Sequence, residues 1–183
     1  MNRDSFLSKY KESRLYQCPY YLDPNRWAKT PQKIRDILRK QSWSDYIKYL
    51  DENGDLSKEL NSLPENEGGI YMFFIQGQTL PDLEMYPAYI GRSLSTDNHN
   101  IQKRVKRYLW ESKQKNRPKI INLFDSWKDY LYIKYFHTTD NDLIETGEKA
   151  LIRSILPPFN SEIPDRIKFN TPQKDIFNLK KDI

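Results

Sequence analysis

Phenols beside glycines, an arginine-rich run and one glutamate among aliphatic residues are the side chains in this sequence that could work on a phosphate ester. Gly69-Ile70-Tyr71 and Tyr89-Ile90-Gly91 each lie in a strand-like stretch, residues 69–75 and 88–92. A glycine next to a tyrosine in a strand leaves backbone room beside the phenol, and a phosphate could use that room. From residue 103 to 119 the basic residues are Lys103, Arg104, Lys106, Arg107, Lys113, Lys115, Arg117 and Lys119, against the single acid Glu111, with Tyr108 and Trp110 among them. Such a run binds a polyanion or forms a solvated helix face, and clustering alone leaves both open. Arg104 and Tyr108 are four apart and share a helix face, which pairs a permanent cation with a phenol. The planar guanidinium fork suits a phosphate because it makes two hydrogen bonds and keeps its charge.

Glu148 has Ile144, Leu151, Ile152 and Ile155 at helical spacing. A carboxylate on such a stripe pays desolvation unless it is paired or binds metal; the alternative is a stripe edge from which it reaches solvent. Glu145 has Lys149 four residues on and can form an ordinary surface pair. Gly147 costs about 1 kcal/mol in a helix interior, so it is expected to mark the close approach of another backbone. Asn160 follows Pro157-Pro158-Phe159, where an amide can tie loop backbone together or form a turn. Arg92, directly after the second motif, could meet a phosphate or end as a surface arginine. His99 and His137, the only histidines, show no metal-ligand spacing. His99 reads as a solvated loop residue near the basic helix and His137 as structural.

The elements that must position these residues are mixed. Residues 1–66 read as a helical extension. Within it, residues 16–24 form an aromatic, proline-rich loop and Thr30-Pro31 opens a helix that carries Ile34, Ile37 and Leu38. Ser42 and Ser44 can cap a second helical segment with Tyr46, Ile47 and Leu50, ended by Asn53-Gly54. Gln76 to Pro87 reads as a hairpin connection. Ile101, Val105, Tyr108 and Leu109 fit an amphipathic helix. Arg117-Pro118 opens another, with Ile120, Ile121 and Phe124 facing inward. Residues 130–136 read as a strand, and Asp142 can cap a helix that runs to Leu156 before Pro157-Pro158 stops it. The polar tail, residues 163–183, offers Ile163, Phe169 and Phe177 as anchors on or near the domain.

At 183 residues the chain suits one domain with a small extension and can bury a core without staples. Its single cysteine, Cys18, excludes an internal disulfide and a cysteine-based zinc finger. No apolar run reaches membrane-spanning length and the N-terminus lacks a signal-peptide pattern, so a cytoplasmic setting is expected. The net charge of +5 sums abundant charges of both signs and says less than their clustering.

Taken in order, these residues resemble the GIY-YIG nuclease superfamily over residues 67–162. The two tripeptides match its name-giving motifs, Arg104 and Tyr108 its basic helix, Glu148 its metal-binding glutamate and Asn160 its closing asparagine. Asn160 stands twelve positions after Glu148, a spacing similar to that of the excision-repair members. The connection between the tripeptides and the stretch from Gly91 to Arg104 are longer than the minimal family pattern and read as loop insertions.

The resemblance implies an α+β fold, a small antiparallel sheet flanked by helices. It implies a metal-dependent DNA endonuclease that leaves 5′-phosphate and 3′-hydroxyl ends. Catalytic positions would be Tyr71, Tyr89, Arg104, Tyr108 and Glu148. Substrate contacts would be Gly69, Gly91, Arg92, Lys103, Lys106, Arg107 and Asn160. Glu148 would hold Mg²⁺, with Mn²⁺ able to substitute. A tyrosine would take a proton from the attacking water, Tyr71 for preference with Tyr89 positioning water or phosphate. Free tyrosine has a pKa of about 10, so cationic neighbours would have to make its phenolate accessible. Restriction or phage defence, with two protomers cutting two strands, is the expected setting by analogy. The competing readings are an RNase with the same chemistry and a nuclease-like module that binds nucleic acid or protein without cutting.

Overall fold

The computed structural model describes residues 18, 20, 23–77, 80, 83–114 and 117–164. Residues 1–17 and the tail from 165 on, with Tyr16, Phe169 and Phe177, lie outside them. The described chain is α+β: a four-stranded antiparallel sheet flanked by helices. In chain order the elements are α1 (Pro24–Ala28), α2 (Gln32–Lys40), β1 (Ile47–Lys48), a 3₁₀ turn (Lys58–Ser62), β2 (Gly68–Gln76) and β3 (Met85–Ser93). Then follow α3 (Ile101–Lys106), α4 (Tyr108–Glu111), α5 (Pro118–Trp127), a 3₁₀ turn (Lys128–Tyr130), β4 (Leu131–Thr138) and α6 (Asn141–Ile155). The strand order is β1-β4-β2-β3.

The near-continuous apolar run of β2 suits a strand paired on both edges and covered on both faces. Tyr71, Phe73 and Ile75 pack with Tyr49, Ile101, Val105, Tyr108, Leu123 and Phe124. Ile70, Met72 and Phe74 pack with Leu38 of α2 and with Ile144, Leu151 and Ile152 of α6. Between β2 and β3 the register shifts at Phe73/Phe74, so that Phe73 faces Tyr89 and Phe74 faces Pro87. The bulge leaves Ala88 unopposed, and its carbonyl accepts from Phe159 N at 3.0 Å on the outer edge of the sheet. Pro87 is tolerated because β3 is an edge strand.

The N-terminal segment departs from the helical expectation. Ser42 and Ser44 cap no helix; Ser44 N donates to Tyr135 O at 2.8 Å, and Ile47 and Lys48 pair with Ile133 and Tyr132. Burial alternates from exposed Tyr46 through Ile47 and Lys48 to Tyr49, which suits a strand, and the open edge of β4 supplies the partners that local helix propensity lacks. The helix expected after Thr30-Pro31 forms, but the Thr30 hydroxyl meets Ser154 Oγ at 3.3 Å instead of capping it. Asp140, not Asp142, caps α6, accepting from Leu143 N at 3.0 Å, because it stands where β4 has ended and its carboxylate faces the free amides. Leu156 ends that helix in the left-handed region at φ 52°. Strand β3 starts at Met85, so part of the expected connection before Pro87 belongs to the sheet.

The expected amphipathic helix from Ile101 is divided, and Tyr49 divides it. Its hydroxyl donates to Val105 O at 2.8 Å and accepts from Leu109 N at 3.1 Å, standing where those two groups would bond each other. Tyr49→Phe removes both bonds from a buried site and is expected to lower stability by about 1–3 kcal/mol, read as a shift in the urea midpoint. An unchanged midpoint would show that the helix closes its own gap.

Candidate active site

The sheet brings the two tripeptides together. Tyr71 lies opposite Gly91, and Phe73 opposite Tyr89, so both motif tyrosines point to the face covered by α3 and α4. A Cβ on Gly91 would stand 2.6 Å from the Tyr71 hydroxyl and 2.7 Å from its ring. The room expected for a phosphate beside Gly91 is therefore filled by Tyr71 itself. At Gly69 a Cβ would stand 2.2 Å from Phe136 O and 2.9 Å from Ile101 Cδ1, so its space is also taken by protein.

Tyr108 is the node of the site. Its hydroxyl lies 2.9 Å from that of Tyr71, donates to Tyr89 at 2.9 Å and accepts from Arg104 Nη2 at 3.0 Å. With Tyr108 donating to Tyr89, the single Tyr71 proton points to the Tyr108 oxygen at 2.9 Å, with Arg92 O at 3.4 Å as its weaker alternative acceptor. The relay runs from Tyr71 through Tyr108 to Tyr89. The Tyr89 oxygen also accepts from Arg117 Nη2 at 3.3 Å. Tyr71 and Tyr108 are fully buried, whereas Tyr89 keeps 8 % exposure.

Electrostatics separates the phenols from the expectation placed on them. Burial pushes the Tyr71 pKa well up; Tyr89 adds to the rise, and Arg104 opposes it without reversing it. Burial likewise raises Tyr108, with Tyr71 and Tyr89 adding to the effect. Burial works against the charge of Arg104, but Tyr71, Tyr108 and Glu111 outweigh it, and the guanidinium stays charged.

On the other face, Arg92 reaches α6. Its Nη1 lies 3.2 Å from Glu148 Oε2 and its Nη2 lies 3.6 Å from Glu145 Oε1. The Nη1 contact is an ion pair without hydrogen-bond alignment, and that buried nitrogen makes no hydrogen bond. Burial raises the Glu148 pKa; Arg92 lowers it in part and Glu145 adds to the rise. Arg104 lowers the Glu148 value slightly, after burial, Arg92, Glu145 and Lys149. Gly147 makes room for this helix: a Cβ there would meet Ile70 Cδ1 at 2.8 Å and Leu38 Cδ2 at 3.0 Å. The close approach is by side chains, not backbone.

Glu148 and Glu145 are the two carboxylates at this place that could hold a hard divalent cation. Glu148 is a largely buried carboxylate, incompletely compensated by Arg92, with Glu145 as a second carboxylate on the same helix. One or two carboxylates with water is a set that Mg²⁺ accepts. Among the described residues, no group of three or more His, Cys, Asp or Glu side chains forms a denser metal centre.

The remaining candidates scatter. Lys103 is exposed. Arg107 is exposed, with its guanidinium 5.4 Å from the Trp110 ring and Nε 3.3 Å from Glu111. Lys106 is held at 2.7 Å by Asn61 and at 2.9 Å by Gln102. Asn160 is buried and bonds both backbone groups of Ile90, accepting from its N at 2.9 Å and donating to its O at 2.8 Å. Its amide thus ties a loop to β3, and its side-chain bonds go to Ile90 rather than into an open cleft. His99 is exposed, and His137 pairs with Glu67 at 2.8 Å.

Two residues of the cluster were not singled out by sequence reasoning, Glu111 and Arg117. Glu111 bonds Arg104 at 2.6 Å and also bonds Arg117. The available signal was that Glu111 is the lone acid in a basic run. Burial alone would raise its pKa, but Arg104 and Arg117 hold it below the ordinary carboxylate value. A carboxyl group with a lowered folded pKa adds stability above its unfolded pKa and loses it as pH falls through the folded value. Glu111→Gln is therefore expected to cost about 2 kcal/mol at neutral pH, less than a fully buried pair because the arginines keep some exposure. The difference from wild type should shrink on acidification below the ordinary carboxylate range, as read by thermal unfolding across pH. A pH-independent difference would remove the charge explanation.

No helix among the described residues is long and apolar enough to cross a membrane. Comparison of the chain with protein-family models, with curated proteins and with solved structures finds no match.

Proposed function

We propose that this chain is a divalent-cation-dependent phosphodiesterase of the GIY-YIG type, with DNA as its first substrate class. The observation that carries the reading is the Tyr71–Tyr108–Tyr89 relay with Arg104 on its node, facing across β3 an Arg92–Glu148 pair whose buried Nη1 lacks a hydrogen bond. The Arg92 side chain keeps 31 % exposure, so its outer N–H groups can meet a phosphate while the buried Nη1 stays with Glu148.

Each residue has a distinct task. Arg92 and Arg104 bind the phosphate and stabilise the charge that grows on it during attack. Tyr89, not Tyr71, is the better base. It is the least buried of the three phenols, and two donors already aim at its oxygen, from Tyr108 and Arg117. Tyr71 and Tyr108 stay protonated and hold that geometry. Tyr89 first releases its phenolic proton to solvent; water then attacks phosphorus, its proton passes to the Tyr89 oxygen, the P–O3′ bond breaks, and the departing 3′ oxygen takes a proton from solvent. Glu148 would hold Mg²⁺ or Mn²⁺, which when bound supplies charge neutralisation at the phosphate and the leaving oxygen.

The test is incubation of the purified chain with supercoiled plasmid and with structured RNA in Mg²⁺, followed by mapping of the ends. Cleavage to 5′-phosphate and 3′-hydroxyl ends on DNA is the expected result. Cleavage confined to RNA moves the substrate class. Binding without cleavage under Mg²⁺ and Mn²⁺ removes the hydrolytic reading in favour of a binding module. A dependence of double-strand cuts on protein concentration would identify a working homodimer, the form expected of a restriction or defence enzyme.

A further inference from the structure

Glu111 is nearly buried, its side chain 9 % exposed, and its two oxygens take different guanidiniums. Oε1 accepts from Arg104 Nη1 at 2.6 Å and Oε2 accepts from Arg117 Nη1. Beyond this bridge both arginines reach the phenols. Arg104 donates to the Tyr108 hydroxyl and Arg117 to the Tyr89 hydroxyl. Both guanidiniums also lie over the Tyr108 ring, at 4.5 and 5.3 Å from its centroid.

The charges do not balance. Glu111 carries one negative charge against Arg104, Arg107 and Arg117. Arg104 and Arg117 keep side-chain exposures of 28 % and 31 %, so neither is sealed from a ligand. Two guanidiniums cross-linked by one carboxylate are held in fixed relative orientation, and further N–H donors on both remain for an outside acceptor. The two non-bridging oxygens of a phosphodiester match such a pair.

The geometry points to Arg117 as a phosphate-contacting residue of this site, held beside Arg104 by Glu111 as the positioning residue. The inference rests on the phosphodiesterase reading for its substrate class and adds a guanidinium on the Tyr89 side of the phenol relay. A phosphate shared between Arg104 and Arg117 lies next to the Tyr89 oxygen, where attacking water must lose its proton.

The experiment measures binding of a short fluorescein-labelled DNA duplex to the full chain from about 50 to 200 mM salt, together with kcat and KM for its cleavage in Mg²⁺. Arg117→Gln is expected to reduce the slope of log K against log salt by about 0.9, one phosphate contact, and to lower kcat by about 100-fold. Arg117→Lys should keep the slope and lose about 10-fold in kcat, since it keeps the charge without the fork. Glu111→Gln should lower kcat by about 30-fold with KM changed less than about 3-fold, because both cations remain while their alignment is lost. A merely structural Arg117 would leave the salt slope unmoved. Should Arg117→Gln fail to fold, Arg117→Lys decides: reduced kcat supports the assignment and wild-type kcat overturns it. A wild type that cleaves, with an unchanged slope in Arg117→Gln, overturns this inference and leaves the phosphodiesterase reading standing. Binding without cleavage in the wild type removes that reading, and the slope still decides for or against Arg117. Neither binding nor cleavage in the wild type overturns both.

Discussion

Glu148→Gln is expected to abolish Mg²⁺-dependent cleavage, lowering kcat by about 1,000-fold or more, the worth of several kcal/mol of transition-state charge stabilisation. Duplex affinity should change by less than about 3-fold, because one exchanged carboxylate in a site dominated by phosphate contacts is a small part of binding. The fold should survive. Glu148 is a carboxylate on an apolar helix face whose pKa burial raises, so the amide removes a charge that the folded state accommodates at a cost. Its ion partner Arg92 keeps Glu145 at 3.6 Å and gains no new clash. Single-turnover cleavage with the variant and fluorescence anisotropy on the same duplex separate the two quantities. Cleavage at the wild-type rate would end the assignment of Glu148 as the cation-holding residue. Parallel loss of affinity and rate would make it a structural or substrate-positioning group instead.

Asn160→Ala carries the largest expected effect on stability. The side-chain amide satisfies both the N–H and the C=O of Ile90 in a buried setting, on the edge strand that also carries Tyr89 and Gly91. Alanine leaves both backbone groups without their partner, at about 1–3 kcal/mol each, so about 2–6 kcal/mol in total. The bond from Phe159 N to Ala88 O and those from Lys119 Nζ to the Pro158 and Asn160 carbonyls would then have to hold the loop. Urea unfolding should show a lower midpoint with an unchanged m-value. KM measured well below the unfolding transition should stay near that of the wild type, because the amide bonds the backbone of Ile90. A stable variant with impaired affinity would instead return Asn160 to the substrate-contacting role that its position in the motif implies.

Much of this site could be read from local spacing. The strands around Gly69-Ile70-Tyr71 and Tyr89-Ile90-Gly91 show as apolar runs with β-branched and aromatic residues, and they form β2 and β3. Arg104 and Tyr108 meet because four residues is a helical neighbour distance, and the contact at 3.0 Å survives the break after Lys106. Gly147 and Glu148 declare their packing through the residues one turn away. Residues 42–50 went the other way. Their serines and aliphatics allow a helix, and only the exposed edge of β4 makes strand pairing better.

What the sequence determined by itself is the set of elements and the faces on which Tyr71, Tyr89, Arg104 and Glu148 stand, because periods of two and 3.6 residues are properties of the local chain. What only the tertiary structure decided is their partnership. Tyr49 enters the helix at Val105 across 56 positions, Arg117 reaches Tyr89 across 28, and Asn160 binds Ile90 across 70. The direction of the phenol relay, the Glu111 bridge and the filling of the Gly91 space by Tyr71 all follow from such contacts. No local period encodes them, because they depend on which surfaces the sheet and helices bring within a hydrogen bond of one another.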